Sequence, residues 1–273
     1  MTPYHFGFAM GLTVLAGLAT GIGSLMVLLM RKTSNRFLSF SLGFSAGFMI
    51  YVSFVDILAQ ARADLVSHLG SRGSWLAPVA FFAGMILIAI IDRLVPTIEN
   101  PHEARHFETM MTESGPVLAC DPSSRLMRIG IMSALAIMIH NFPEGIATFT
   151  AATQRPSLGI SIAVAIAIHN VPEGIAVAIP IYCATGNRRR AFRLSLLSGL
   201  SEPLGALVGF VILRPFLNEM TLGLLLAAVA GIMVYISLDE LLPTAREYGS
   251  PHLAIYGLMT GMALMEVSLQ LFT

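Results

Sequence analysis

The chain has 273 residues, of which 55% are hydrophobic and 12% charged, with a formal net charge of zero. A soluble domain carries roughly 25% charged residues, so a chain with mean hydropathy +0.76 needs lipid as solvent for part of its surface. The neutral balance gives no footprint for a nucleic-acid partner, and the two cysteines, Cys120 and Cys183, do not make a disulfide framework.

Apolar runs of about 20 residues predict membrane helices. Eight are expected, at 6–30, 37–60, 76–95, 127–153, 157–184, 191–214, 220–243 and 251–272. The first lacks a preceding basic segment and a clear cleavage site, so it reads as a retained helix and not a signal peptide. The whole, 1–273, is expected to be one all-α integral membrane domain. Most links are short and polar. The exception is 96–126, a charged loop with Pro, Ser and two histidines four apart, His102 and His106, which reads as a solvated segment. Twelve of the sixteen basic residues fall on one side of the predicted helices: Arg31, Lys32, Arg36, Arg93, Arg105, Arg125, Arg128, Arg188, Arg189, Arg190, Arg193 and Arg246. The positive-inside rule places that side, and the 96–126 loop, in the cytoplasm and both termini outside.

The fourth helix reads His140-Asn141-Phe142-Pro143-Glu144-Gly145, and the fifth reads His169-Asn170-Val171-Pro172-Glu173-Gly174. Each His lies about twelve residues into its helix at about 1.5 Å per residue, so both motifs are expected near the bilayer centre on antiparallel neighbours. Within each motif His, Asn and Glu share one helical face. The sixth helix adds Glu202 in Ser201-Glu202-Pro203. An ionised carboxylate at mid-membrane is costly, and three repel one another. A bound dication answers both problems, and imidazole, carboxylate and amide oxygen suit Zn²⁺, Fe²⁺, Mn²⁺, Co²⁺ or Cd²⁺. Three carboxylates can balance more than one dication, with Glu144 and Glu173 bridging. Pro143 and Pro172 withhold donors from the carbonyls of Ile139 and Ile168, while Gly145 and Gly174 permit close helix approach. Helix-to-helix polar contacts, a metal-free proton relay and an intramembrane metal-dependent hydrolase are the competing readings. The hydrolase lacks a His-Glu-x-x-His motif and an evident nucleophile.

The seventh helix repeats the second. Ala46-Gly47-Phe48-Met49-Ile50-Tyr51-Val52-Ser53 aligns with Ala230-Gly231-Ile232-Met233-Val234-Tyr235-Ile236-Ser237. Weaker echoes pair Gly17-Leu18 with Gly199-Leu200 and Gly84-Met85 with Gly261-Met262. Helices one to three thus resemble six to eight, and the two between them make the copies inverted. That is a transporter pattern, with the substrate site near mid-bilayer. No nucleotide-binding loop is present.

At the paired His-Asn-x-Pro-Glu-Gly motifs the chain resembles the ZIP (Zrt-/Irt-like) metal transporter family, in particular its bacterial ZupT-like branch, over essentially its whole length. The resemblance implies eight helices grouped three-two-three, both termini outside, location in the bacterial cytoplasmic membrane, a homodimer, and import of divalent metal without enzymatic activity or a prosthetic group. It also implies a binuclear centre. His169, Glu144 and Glu173, joined by His140, match the ligands of one ion. Asn141, Asn170, Glu144, Glu173 and Glu202 match those of the second. Asp239 and Glu240, in Asp239-Glu240-Leu241-Leu242-Pro243, resemble a segment that receives metal on exit, though the run also reads as a charged helix end. Asp56, the repeat partner of Glu240, is a candidate for assisting ions at the outer face or a structural residue.

Overall fold

The computed structural model describes residues 3–29, 35–94, 124–216, 218–248 and 251–272. Among these every regular element is helical. We label the long helices α1 (Pro3–Leu29), α2 (Asn35–Val52, a π-helical turn Ser53–Ile57, then Leu58–Leu69), α3 (Ser71–Leu94), α4 (Ser124–Gln154), α5 (Pro156–Thr185), α6 (Arg188–Gly199 and Ser201–Leu213), α7 (Glu219–Ile236, a π-helical turn Ser237–Leu241, then Leu242–Tyr248) and α8 (Pro251–Phe272). Among the described residues seven of these are long and apolar enough to cross a membrane. α4, with 31 residues, is an eighth long helix. The protein is an all-α integral membrane protein.

Three differences from the sequence reading have physical causes. α2 and α7 run past the expected limits of 60 and 243, because each adds an amphipathic extension beyond its apolar run; in α2 the extension buries Ala61 and Leu65. α6 carries a local irregularity. It crosses as one span, Arg188–Ile212, with a single turn residue at Leu200 (φ −69°, ψ −5°), where Pro203 has no N–H for the carbonyl of Gly199. Finally, α4 begins at Ser124, so the end of the expected 96–126 loop is helical. The rest of that loop, with His102 and His106, lies outside the described residues.

Turns are tight where the chain must reverse. Gly70 (φ 58°) joins α2 to α3 and Gly186 (φ 61°, left-handed) ends α5, positive φ values that glycine adopts without steric penalty. Asn187 caps α6, accepting from the N–H of Arg190 at 3.1 Å. A lone extended residue, Arg155, separates α4 from α5, which opens on Pro156.

The internal repeat extends to individual contacts. Both π-helical turns start at the aligned serines 53 and 237. Ser53 Oγ donates to the Met49 carbonyl and Ser237 Oγ to the aligned Met233 carbonyl, each at 2.7 Å. Glycines let the helices meet backbone to backbone. A Cβ on Gly47 would fall 2.0 Å from the Leu258 carbonyl oxygen, and one on Gly231 1.9 Å from that of Phe81. Gly84 meets the carbonyl of Ala228 (2.0 Å) and Gly261 that of Phe44 (2.1 Å). Phe44 and Ala228 precede the aligned glycines 47 and 231 by three residues, as Phe81 and Leu258 precede glycines 84 and 261. The α2–α8 and α7–α3 seams are therefore one contact made twice. α1 and α6 meet at the dyad of this relation, Gly17 against the Gly199 carbonyl (2.5 Å) and Gly199 against that of Gly17 (2.3 Å).

Packing sorts the helices into two groups. α1, α4, α5 and α6 pack on one another, as do α2, α3, α7 and α8, and the groups join chiefly along α2–α5 and α4–α7. Near the α4–α5 turn Arg155 grips Asp64 of α2 with both guanidinium nitrogens, one at 3.0 Å. Gln60 steadies the same carboxylate from one helical turn away, at 3.0 Å. In the first group Phe6, Phe149 and Phe210 form an edge-to-face triad with centroids 5.0–5.5 Å apart.

If the seams depend on bare backbone, Gly47→Ala should destabilise by about 1–3 kcal/mol through overpacking. Gly11→Ala, whose new Cβ meets nothing within 4 Å, should instead gain up to about 1 kcal/mol of helix propensity. Thermal melts of the two variants in detergent should move in opposite directions.

Candidate metal centre

Both motif prolines lie inside uninterrupted helices, so Pro143 and Pro172 withhold an N–H from the carbonyls of Ile139 and Ile168 without ending α4 or α5. The motif glycines do what their spacing suggested. A Cβ on Gly145 would fall 2.0 Å from the Glu202 carbonyl, and one on Gly174 1.9 Å from that of Thr20. α4 is thereby pressed on α6 and α5 on α1 at the level of the acidic residues. Ser195 Oγ ties α6 to α5 by donating to the Gly174 carbonyl at 3.1 Å.

The side chains between these helices are sealed from solvent. Asn141, His169, Asn170, Glu173 and Glu202 have no exposure and Glu144 has 1%. His169 is the pivot. Its Nδ1 lies 3.2 Å from the Ala165 carbonyl. A carbonyl only accepts, so Nδ1 carries the proton, and in the neutral ring Nε2 is the lone pair. That lone pair faces two carboxylates, Glu144 at 3.3 and 3.4 Å and Glu173 at 3.8 Å. Acceptor facing acceptor is repulsive in a low dielectric unless a cation, proton or metal, is shared between them. The backbone carbonyl behind Nδ1 is the usual partner that fixes a metal-ligating imidazole. Ser45 of α2 supports the same residue, donating to the His169 carbonyl at 3.4 Å.

The second part of the cluster is built on Asn170. Its Nδ2 donates to the Ala16 carbonyl at 3.0 Å and to a carboxylate oxygen of Glu202. Asn170 Oδ1, the other Glu202 oxygen and both amide atoms of Asn141 find no hydrogen-bond partner among the described residues. Buried polar atoms left in this way are expensive, about 1–3 kcal/mol each. Three of the four are oxygens, one each from α4, α5 and α6, the ligand type that hard and borderline dications take; the fourth is the Asn141 amide nitrogen, a hydrogen-bond donor.

The helices thus bury six of the seven residues singled out in the sequence, and bring five of them, Glu144, His169, Asn170, Glu173 and Glu202, together. For the seventh, His140, the structure describes the backbone, in α4, and not the side chain. Among the described residues no three His, Cys, Asp or Glu side chains are already gathered as a metal cage; the acids are engaged with His169 and Asn170 instead. Asp239 and Glu240 stand elsewhere, half-buried on the π-helical turn of α7, where Asp239 hydrogen-bonds Tyr235 beside Asp92 and Arg93 of α3. Asp56 is half-buried on the matching turn of α2.

The sequence reading missed Ala16, Thr20 and Ser45 at the border of the cluster. Thr20 had a signal. Extending the Gly17/Gly199 alignment by three residues sets Thr20 against Glu202. Ala16 acts through its backbone and leaves no mark in a sequence.

The family model described as ZIP Zinc transporter matches residues 6–117 and 118–268. Curated relatives include the "Zinc transporter ZupT" of Oceanobacillus iheyensis, 58% identical over 95% of this chain and 96% of that protein. The proteins of the same name from Chlorobium luteolum and Clostridium perfringens are 58% and 55% identical, over 98% and 96% of this chain and 99% and 94% of theirs.

Glu202→Gln keeps an oxygen for Asn170 while removing one buried charge. Chelator-treated protein should then melt a few degrees higher, and its stabilisation by added zinc should shrink, since bound ligand stabilises by its affinity for the folded state. Scanning fluorimetry in detergent measures both changes.

Proposed function

The chain belongs to the ZIP family of zinc transporters, and on that premise we propose that it imports divalent transition-metal cations, zinc foremost and also Fe²⁺, Mn²⁺, Co²⁺ or Cd²⁺, into the cytoplasm through a binuclear site at mid-membrane. The observation that supports this most is the His169 lone pair aimed at the carboxylates of Glu144 and Glu173 in a sealed, acidic interior. A proton shared there leaves the three carboxylates in excess, whereas a dication cancels the imbalance and takes the ring as a ligand. In this reading His169 and His140 bind the first ion with Glu144 and Glu173. Those two carboxylates bridge to the second, which Asn141, Asn170 and Glu202 complete. Mixed nitrogen and oxygen ligands without thiolate admit several metals.

Uptake follows from charge. A dication moving into a negatively polarised cell gains about 4.6 kcal/mol per 100 mV, so the gradient itself is a sufficient drive. The asymmetry of the basic links supports an orientation with both termini outside the bacterial cytoplasmic membrane, and the inverted repeat of α1–α3 and α6–α8 around α4–α5 supports alternating access to a central site. Asp239 and Glu240 lie on the way out under this orientation, and a homodimer is the expected assembly.

Reconstituted into vesicles, the protein should carry Zn²⁺ and Cd²⁺ above empty-vesicle levels. Glu144→Ala and Glu173→Ala should abolish flux, because each removes a ligand from both ions. Asn141→Ala and Glu202→Ala should still transport, with altered rate or metal preference. Wild-type uptake by Glu173→Ala would falsify the ligand assignment. Retained metal with turnover of lipid or peptide and no flux is the result a membrane hydrolase would give.

A further inference from the structure

Thr20 of α1 is fully buried, and its hydroxyl has no hydrogen-bond partner among the described residues. A helical threonine ordinarily returns its hydroxyl to the carbonyl four residues back. Thr13, in the same helix, does so to Ala9 at 2.9 Å. The corresponding carbonyl for Thr20 is that of Ala16, and it accepts from Asn170 Nδ2 at 3.0 Å. The same nitrogen donates to Glu202. A member of the acidic cluster has therefore taken the default partner of Thr20.

Position agrees with this. Thr20 follows Gly17 by three residues, as Glu202 follows Gly199. The Thr20 carbonyl packs on Gly174 of the second motif as the Glu202 carbonyl packs on Gly145 of the first, at 1.9 and 2.0 Å from the ideal Cβ positions. Thr20 is thus the α1 counterpart of the α6 carboxylate across the pseudo-two-fold. Its hydroxyl points along the α1–α6 seam, where a Cβ on Gly199 would fall 2.8 Å from Oγ1.

We propose that Thr20 Oγ1 is a neutral oxygen ligand for the transported cation, matching on α1 the carboxylate that Glu202 supplies on α6. This rests on the metal-transport reading above. The centre then has a charged half, Asn170 with Glu202, and a neutral half, Asn141 with Thr20. A hydroxyl oxygen is a hard donor that exchanges readily with hydration water, so it holds Zn²⁺ or Mn²⁺ without the tight grip of a fourth carboxylate.

Thr20→Val has nearly the same shape and lacks the hydroxyl. If Thr20 is only a buried polar defect, the valine should stabilise the fold and leave metal handling untouched. If it is a ligand, Thr20→Val should melt at or above the wild-type temperature, yet take up Zn²⁺ about tenfold more slowly, the scale of loss when a group supporting a metal site is removed. Its zinc-induced rise in melting temperature should shrink as well, and Thr20→Ser should restore both. Wild-type uptake and wild-type zinc stabilisation in Thr20→Val overturn the proposal. Should the valine variant fail to fold, Thr20→Cys decides: a thiolate at this point should raise the Cd²⁺ to Zn²⁺ uptake ratio about tenfold, and an unchanged ratio overturns it. Absence of flux in the wild type would defeat the transport reading instead, and the zinc and cadmium thermal shifts of the same variants would still decide on Thr20.

Discussion

Glu144, Glu173 and Glu202 are held out of water between packed helices, where each ionised carboxylate costs several kcal/mol unless opposite charge and hydrogen bonds answer it. That burden explains features that look unrelated at first. It accounts for the imidazole whose tautomer is fixed from behind by the Ala165 carbonyl. It also accounts for an asparagine that spends one amide nitrogen on both a backbone carbonyl and a carboxylate. An interior of this kind is unfavourable as mere structure and reasonable for a compartment through which dications pass.

Burial on this scale requires helices that approach more closely than side chains allow. The glycines supply it in repeat-related pairs, and at each seam carbonyl oxygen occupies the space a Cβ would need. Within a membrane, where apolar burial gives little drive between helices, such backbone contact is a main source of cohesion. All the central residues belong to α1, α4, α5 and α6, which pack as one group, while α2, α3, α7 and α8 form the other. The site is therefore inside a unit and bordered by another, with Ser45 reaching across from α2 to the His169 carbonyl and the Arg155–Asp64 pair joining the two groups near the α4–α5 turn.

Most of the architecture was legible because the membrane simplifies the code. An apolar run of bilayer length reads as a helix, and α8 coincides with its expected limits. The amphipathic ends of α2 and α7 escaped, since their polar faces fall below the hydropathy that marks a span. The turn residue at Leu200 in α6 escaped because the apolar pattern continues across it. The acidic cluster was legible because charge in an apolar run is conspicuous. Neutral participants were not: nothing in the composition separates Thr20 from Thr13, and the difference between them is that Asn170 occupies one carbonyl and not the other.

That difference bears on direction. Two halves related by a pseudo-two-fold would offer an ion equal footholds if their side chains matched. Here the backbone contacts match while the side chains do not, with Glu202 on one side and Thr20 on the other. The twin motifs repeat His, Asn and Glu in the sequences of both α4 and α5, so the difference between the halves lies in α1 and α6. Changing a carboxylate to a hydroxyl removes a full charge at close range, far more than a change in helix packing contributes. An inverted repeat kept symmetrical in its seams and broken in its charges would, on the transport reading, retain the mechanical equivalence that alternating access needs and give an ion unequal surroundings on its two sides.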